Sequence, residues 1–145
     1  MRRCALALLL AVNGLLGMML GGCATDVGPS EAELKARWDA ENVYPQDYKR
    51  DLLAFLRTYL NDPGHVRAAQ VSQPQRRTLG PGERYIVCVR YRTRKDDGKY
   101  GPPRDGAASY VSGKLDRFFD APTELASLCK DVVLEPFPEL EKLSR

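Results

Sequence analysis

Residues 84–95, with the sequence RYIVCVRYRTRK, decide the fold. Apolar and polar side chains alternate along this stretch with a period of two, which predicts a β-strand. We place one set of alternate residues on the core side of a sheet: Tyr85, Val87, Val89 and Tyr91. The other set then faces the back of the sheet: Ile86, Cys88, Arg90, Arg92 and Arg94. A sheet with two different faces is therefore the centre of the expected fold.

Neighbouring stretches predict about four antiparallel strands in all. Three more are expected at Val66 to Gln73, Ala107 to Val111 and Lys114 to Phe119. The last two are separated only by Ser112-Gly113, which suits a two-residue hairpin turn. Leu79-Gly80-Pro81-Gly82 predicts another turn, immediately before the central strand.

Two helical segments are predicted before the strands. Ser30 and Glu33 have the spacing of a capping box and should begin the first helix. Pro45 is expected in the first turn of the second helix, whose apolar residues recur at helical spacing up to Leu60. Because helices precede strands instead of alternating with them, the expected class is α+β, with the helices packed on the antiparallel sheet.

The cysteines predict a link between the sheet and the C-terminal tail. Of the four, Cys88 and Cys129 belong to the folded part, and a disulfide between them would pin the tail across the back of the sheet. Two free buried thiols are the alternative. A metal site is not predicted, because two distant thiols and the single histidine do not supply four ligands.

The N-terminus has the pattern of an export signal. Arg2 and Arg3 precede an apolar stretch from Ala5 to Leu20. That stretch is shorter than the roughly 20 apolar residues of a membrane-spanning helix, and small residues follow it, as in a cleaved signal peptide. A retained signal anchor is the alternative.

The end of this leader is more specific. Leu20-Gly21-Gly22-Cys23 resembles the lipobox of bacterial lipoproteins. The resemblance implies cleavage before Cys23, a diacylglycerol on its sulfur and an N-acyl chain on its amine. It also implies a cell-envelope location facing the periplasm, and Ala24 after the cysteine is similar to the outer-membrane class rather than the inner-membrane class. A plain secreted protein with a chance cysteine at this position is the alternative.

The expected organisation has three parts: a signal peptide over 1–22, a lipidated cysteine with a flexible tether over 23–30, and a single α+β domain over 31–145. The 145-residue chain carries a formal charge of +3, and loss of Arg2 and Arg3 brings the remainder close to neutrality. This balance does not indicate a nucleic-acid-binding protein. No cofactor is predicted beyond the acyl chains on Cys23.

Within the domain, three stretches are similar to small alphaproteobacterial lipoproteins of unknown function: residues 53–63 (LAFLRTYLNDP), 84–91 (RYIVCVRY) and 136–140 (PFPEL). The resemblance spans most of the chain after the leader. It implies location and no particular activity.

Three functions are considered. No nucleophile motif, phosphate-binding loop or dinucleotide fingerprint occurs, so an enzyme is not predicted. The leading hypothesis is a membrane-anchored accessory or structural protein that acts by contact with an envelope protein. The second is binding of anionic envelope polymers or lipids through Arg90, Arg92 and Arg94, which would follow one strand face about 7 Å apart. The alternative for these arginines is a solvated strand face whose charge is balanced by carboxylates, namely Asp96, Asp97, Asp105 and Asp116. A periplasmic hydrolase, or an inhibitor of one, is the third.

Overall fold

The strand predicted over residues 84–95 is present and is the longest of the six strands that the structure describes. The computed structural model describes residues 28–143. The strands are β1 (Val66–Ser72), β2 (Gln75–Leu79), β3 (Gly82–Thr93), β4 (Arg104–Val111), β5 (Lys114–Phe119) and β6 (Leu134–Pro136). They form one antiparallel sheet in the order β5-β4-β3-β1-β6, and β2 pairs with the N-terminal half of β3. The α+β class and the antiparallel sheet are therefore confirmed.

The sheet has two strands more than the four expected. β2 carries the charged and polar sequence QRRTL, which lacks an apolar alternation, yet it pairs with β3 through the predicted turn before Gly82. β6 is only three residues long and pairs with β1. Neither strand has enough apolar side chains to be recognised from its sequence alone. Each is stabilised mainly by pairing with a neighbour, β3 in the case of β2 and β1 in the case of β6.

Four helices accompany the sheet: α1 (Glu31–Ala40), α2 (Tyr48–Tyr59), α3 (Pro122–Leu128) and α4 (Pro138–Glu141). The predicted capping box begins α1, with Ser30 N–H donating to the Glu33 carboxylate at 2.7 Å. The prediction for Pro45 was wrong. α2 begins at Tyr48, because Asp47 at its N-cap does not have helical backbone angles, and Pro45 is buried in the connection instead.

One face of the sheet carries the larger core. Val87, Val89 and Tyr91 point to this face, as predicted, and pack against α2 and α4. Leu52 and Leu56 of α2 are fully buried there. We call this side the front face.

The opposite side, the back face, carries a smaller core around Ile86 and Cys88. α3 covers this core with Leu128. α1 also contacts the back face, since Trp38 packs on Arg84, which alternates in phase with Ile86 and Cys88. The two N-terminal helices therefore lie on opposite faces. No helix in residues 28–143 is both long and apolar enough to cross a bilayer.

Candidate functional site

The disulfide predicted between the sheet and the tail is present. Cys88 on β3 and Cys129, directly after α3, are bonded with their Cα atoms 5.9 Å apart. Cys88 is buried beneath α3, whereas Cys129 is half-buried. The bond holds α3 across the back face, so the expectation of a C-terminal region pinned by a disulfide is confirmed.

Arg77 on β2 also holds the end of α3 on the sheet, next to the disulfide. Its Nε donates to the carbonyl of Leu128 at 3.2 Å and its Nη2 to the carbonyl of Lys130 at 2.9 Å. Gln75 orients the guanidinium through a 2.6 Å hydrogen bond. The carbonyls at the end of α3 thus gain a charged donor, which helix C-termini favour. This role of Arg77 could not be predicted from sequence, because β2 itself was not predicted.

A cleft of about 640 Å³ opens beside the disulfide. Such a volume is within the range of small-molecule pockets. One wall is formed by α3 and the segment that follows it, through Leu125, Val132 and Leu134. The other wall is the end of β4, with Asp105 and Gly106. The disulfide to β3 and the Arg77 contacts from β2 therefore hold the α3 wall of the cleft on the sheet.

The cleft contains both signs of charge in equal number. The cations are Arg90, Arg104 and Lys130, and the carboxylates are Asp105, Asp120 and Asp131. Arg90 donates two hydrogen bonds to the Asp105 carboxylate, at 2.6 and 3.1 Å. This contact raises the pKa of Arg90. In the part of the chain that the structure describes, the Arg104 guanidinium has no ion-pair or hydrogen-bond partner.

Tyr59 closes one end of the cleft. Its hydroxyl donates to the Asp120 carboxylate at 2.7 Å, and this hydrogen bond is the main reason why the pKa of Tyr59 rises to about 12. The ring stacks on Phe55 and lies near Phe118, so the hydroxyl is held at a fixed position. This contact joins α2 on the front face to the chain that leads into α3.

Arg92 and Arg94 lie beyond the cleft along β3. Arg92 Nε donates to the carbonyl of Gly101 at 2.7 Å. Arg94 lies 3.5 Å from the Asp62 carboxylate and 3.0 Å from Nδ1 of His65. The pKa of Asp62 is lowered, first by its hydrogen bond with His65 and further by Arg94. All three members of the predicted arginine face thus have intramolecular partners.

His65, the single histidine of the chain, contacts Asp62 and Arg94. Over residues 28–143 no three His, Cys, Asp or Glu side chains are grouped so that they could hold a metal ion. The predicted lipid-attachment residue Cys23 and the other lipobox residues, Leu20, Gly21 and Gly22, lie outside the described residues.

Comparisons with protein-family models, with curated proteins and with solved structures found no match. Fold and site define the molecule only as an α+β domain in which a disulfide joins a six-stranded sheet to a C-terminal helix. The site is the charge-balanced cleft between that helix and the end of β4.

Proposed function

We propose that this protein is a lipid-anchored component of the bacterial cell envelope that acts by contact with another envelope protein. The sequence Leu20-Gly21-Gly22-Cys23 behind an apolar leader carries the proposal. Acylation of Cys23 at two positions would give firm membrane attachment, whereas a single chain gives only marginal binding.

The distance between the anchor and the domain supports this proposal. Residues 24–29 separate Cys23 from the capping box at Ser30, and fully extended they span about 20 Å. The domain would then work within a short distance of the membrane surface. A partner embedded in, or attached to, the same membrane would be within reach of the domain. Binding of a diffusible macromolecule would not need this attachment to the membrane.

The surface favours a protein partner over a polyanion. The cleft combines one apolar wall with equal numbers of cations and carboxylates. Protein interfaces combine an apolar centre with polar edges in this way. Arg90 and Arg94 already face Asp105 and Asp62, so a polyanion would have to compete with those carboxylates.

The mass of the protein extracted from native membranes tests the anchor. We expect a product that begins at Cys23, carries acyl chains and gains the mass of two hydrogens on reduction. The matched control is Cys23→Ser, which should carry no acyl chains in the same mass measurement. An unacylated wild-type protein would contradict the lipoprotein assignment.

Crosslinking in intact cells tests the mode of action. We expect one envelope protein to be captured in a fixed ratio by the wild-type chain. Failure to capture any protein would contradict action by protein contact. The arginine alternative is tested separately by replacing Arg90, Arg92 and Arg94 with Gln. If that variant sediments less with anionic vesicles than the wild type, polyanion binding replaces our proposal.

A further inference from the structure

The edge of the sheet is incomplete at the cleft. β5 pairs with β4 only as far as Ala107, which lies opposite Phe119. β4 continues beyond this point through Gly106, Asp105 and Arg104, all of which pair with β3 on their inner side. On the outer side, this end of β4 borders the cleft instead of another strand.

Hydrogen bonds around β3 show which peptide groups of β4 face outward. On the side of β1, the Cys88 amide donates to Ser72 Oγ and the Arg94 amide donates to the His65 carbonyl. On the side of β4, the Thr93 carbonyl accepts a hydrogen bond from the Gly101 amide. Even-numbered residues of β3 therefore face β1 and odd-numbered residues face β4.

The register extends this alternation to β4. Odd-numbered residues of β3 lie opposite even-numbered residues of β4, such as Val89 opposite Gly106. Even-numbered residues of β4 therefore exchange hydrogen bonds with β3. In an antiparallel sheet, the odd-numbered residues between them point both their N–H and their C=O to the side of β4 that faces away from β3. The N–H and C=O of Asp105 therefore point away from β3 and into the cleft.

The chain that follows β5 does not fill this position. After Phe119 it turns toward α3, and the residue next in register with Asp105 would be Ala121. The Ala121 carbonyl already accepts hydrogen bonds from Glu124 and Leu125 at 3.1 Å each. The next residue, Pro122, has no N–H to donate. Asp105 is thus left with a donor and an acceptor side by side at an open strand edge.

We infer that the cleft binds an extended peptide segment, whose backbone pairs with Asp105 and continues the line of β5. The inference rests on the proposed function and specifies the kind of partner segment. A peptide is the ligand class that presents a donor and an acceptor at the spacing of a strand, and addition of a strand to an open edge is a common mode of peptide recognition.

The walls define what such a segment carries. Leu125 of α3, the helix that packs beside β4, offers an apolar surface to a side chain on one side of the segment. The unpaired guanidinium of Arg104 lies at the same edge and favours an acidic side chain or a terminal carboxylate nearby. We therefore expect a short segment with alternating apolar and acidic residues, in contrast to a uniformly charged polymer.

A pair of variants at one position tests the backbone contact. Asp105→Pro removes the outward N–H without breaking a bond to β3, whereas Asp105→Asn retains the N–H and removes the ion pair with Arg90. The probe is the tightest linear heptapeptide selected by phage display on the detergent-solubilised full-length protein. We expect Asp105→Pro to weaken its binding more than tenfold and Asp105→Asn less than threefold.

Hydrogen exchange provides a second measurement in case Asp105→Pro does not fold. In the wild-type protein, the Asp105 amide should exchange at least tenfold more slowly when the peptide is bound. The inference is overturned if no peptide is enriched, if both variants bind equally well, or if the exchange rate at Asp105 does not change.

Crosslinking from two positions separates this inference from the proposed function. A photoreactive residue is placed either at Ala126, which lines the cleft, or at the exposed Ala54 on α2. Capture of the envelope partner from position 126 but not from position 54 supports both the peptide cleft and the proposed function. Capture from position 54 alone overturns the peptide cleft and leaves the proposed function standing. Capture from neither position overturns the peptide cleft, and the proposed function is contradicted only if crosslinking of the wild-type chain in intact cells also captures no protein.

Discussion

The guanidinium of Arg84 lies 3.7 Å from the centre of the Trp38 ring. Arg84 is only 2% exposed, and it donates hydrogen bonds to the Trp38 carbonyl and, at 3.2 Å, to the Glu41 carboxylate. The indole N–H of Trp38 in turn donates to the Glu83 carbonyl at 2.8 Å. α1 contains no fully buried residue, so this pair is the principal contact that docks it on the sheet.

Replacing Arg84 with Ala should release α1 without unfolding the sheet. Loss of the cation–π contact and of the buried hydrogen bonds should lower the free energy of unfolding by about 2 kcal/mol. Trp38 is the single tryptophan, so its fluorescence reports directly on this contact. We expect emission at longer wavelength and stronger quenching by acrylamide.

The matched control is Arg76→Ala on the same hairpin. Arg76 forms an exposed ion pair with Glu83 at 2.5 Å, and pairs of this kind contribute less than about 1 kcal/mol. This variant should retain the emission of the wild type. Unchanged Trp38 fluorescence in Arg84→Ala would show that α1 is docked by other contacts.

Loss of the disulfide should destabilise the domain strongly. The bond closes a loop with a sequence separation of 41 residues, for which the chain-entropy model gives about 4 kcal/mol. We expect the Cys88→Ala/Cys129→Ala variant to show this loss in urea unfolding. Reduction of the wild-type protein should produce a similar shift. A loss below about 1 kcal/mol would mean that Arg77 and the apolar contacts of α3 suffice to hold the tail.

The central strand and its two faces could be predicted from sequence because the alternation in residues 84–95 directly reflects the pleat of a strand. The disulfide was predicted differently, because Cys88 and Cys129 are the two cysteines that remain after the leader and Cys23 are set aside. The alternation added only that Cys88 lies on the face away from α2. Both predictions are confirmed.

The cleft could not be predicted, because it depends on where one strand stops beside another. β5 ends at Phe119 while β4 extends to Arg104, and nothing in either sequence indicates that difference. The individual partners of the arginine face could not be assigned from sequence either, although Asp105 was among the carboxylates expected to balance its charge. Asp105 faces Arg90 only because of the register between β3 and β4.

The hydrogen bond between Tyr59 and Asp120 should appear in a pH titration. The pKa of Tyr59 is raised from 10.0 to about 12 in the folded state, so the folded state retains its proton at a pH where the unfolded chain loses it. The stabilising contribution is therefore complete below pH 10 and is lost as the pH rises toward about 12.

Ultraviolet difference titration of wild type against Tyr59→Phe isolates this ionisation from those of the other tyrosines. We expect Asp120→Asn to move the pKa of Tyr59 back toward 10.0, since the hydrogen bond to Asp120 is the largest cause of the shift. If the pKa stays near 12 in Asp120→Asn, burial rather than the hydrogen bond controls it.

Gly106 provides the last prediction, because the absence of its side chain makes room for Phe118. A Cβ at position 106 would overlap the Phe118 ring, which packs on Phe55 and Tyr59 of α2. We expect Gly106→Ala to lower the free energy of unfolding by about 2 kcal/mol, as overpacking in a dense interior does. Gly64→Ala is the matched control, since its nearest neighbour would be an ordinary 3.8 Å away. Adding Phe118→Ala should make the combined loss smaller than the sum of the two single losses, and strict additivity in urea unfolding would contradict the packing of this ring over Gly106.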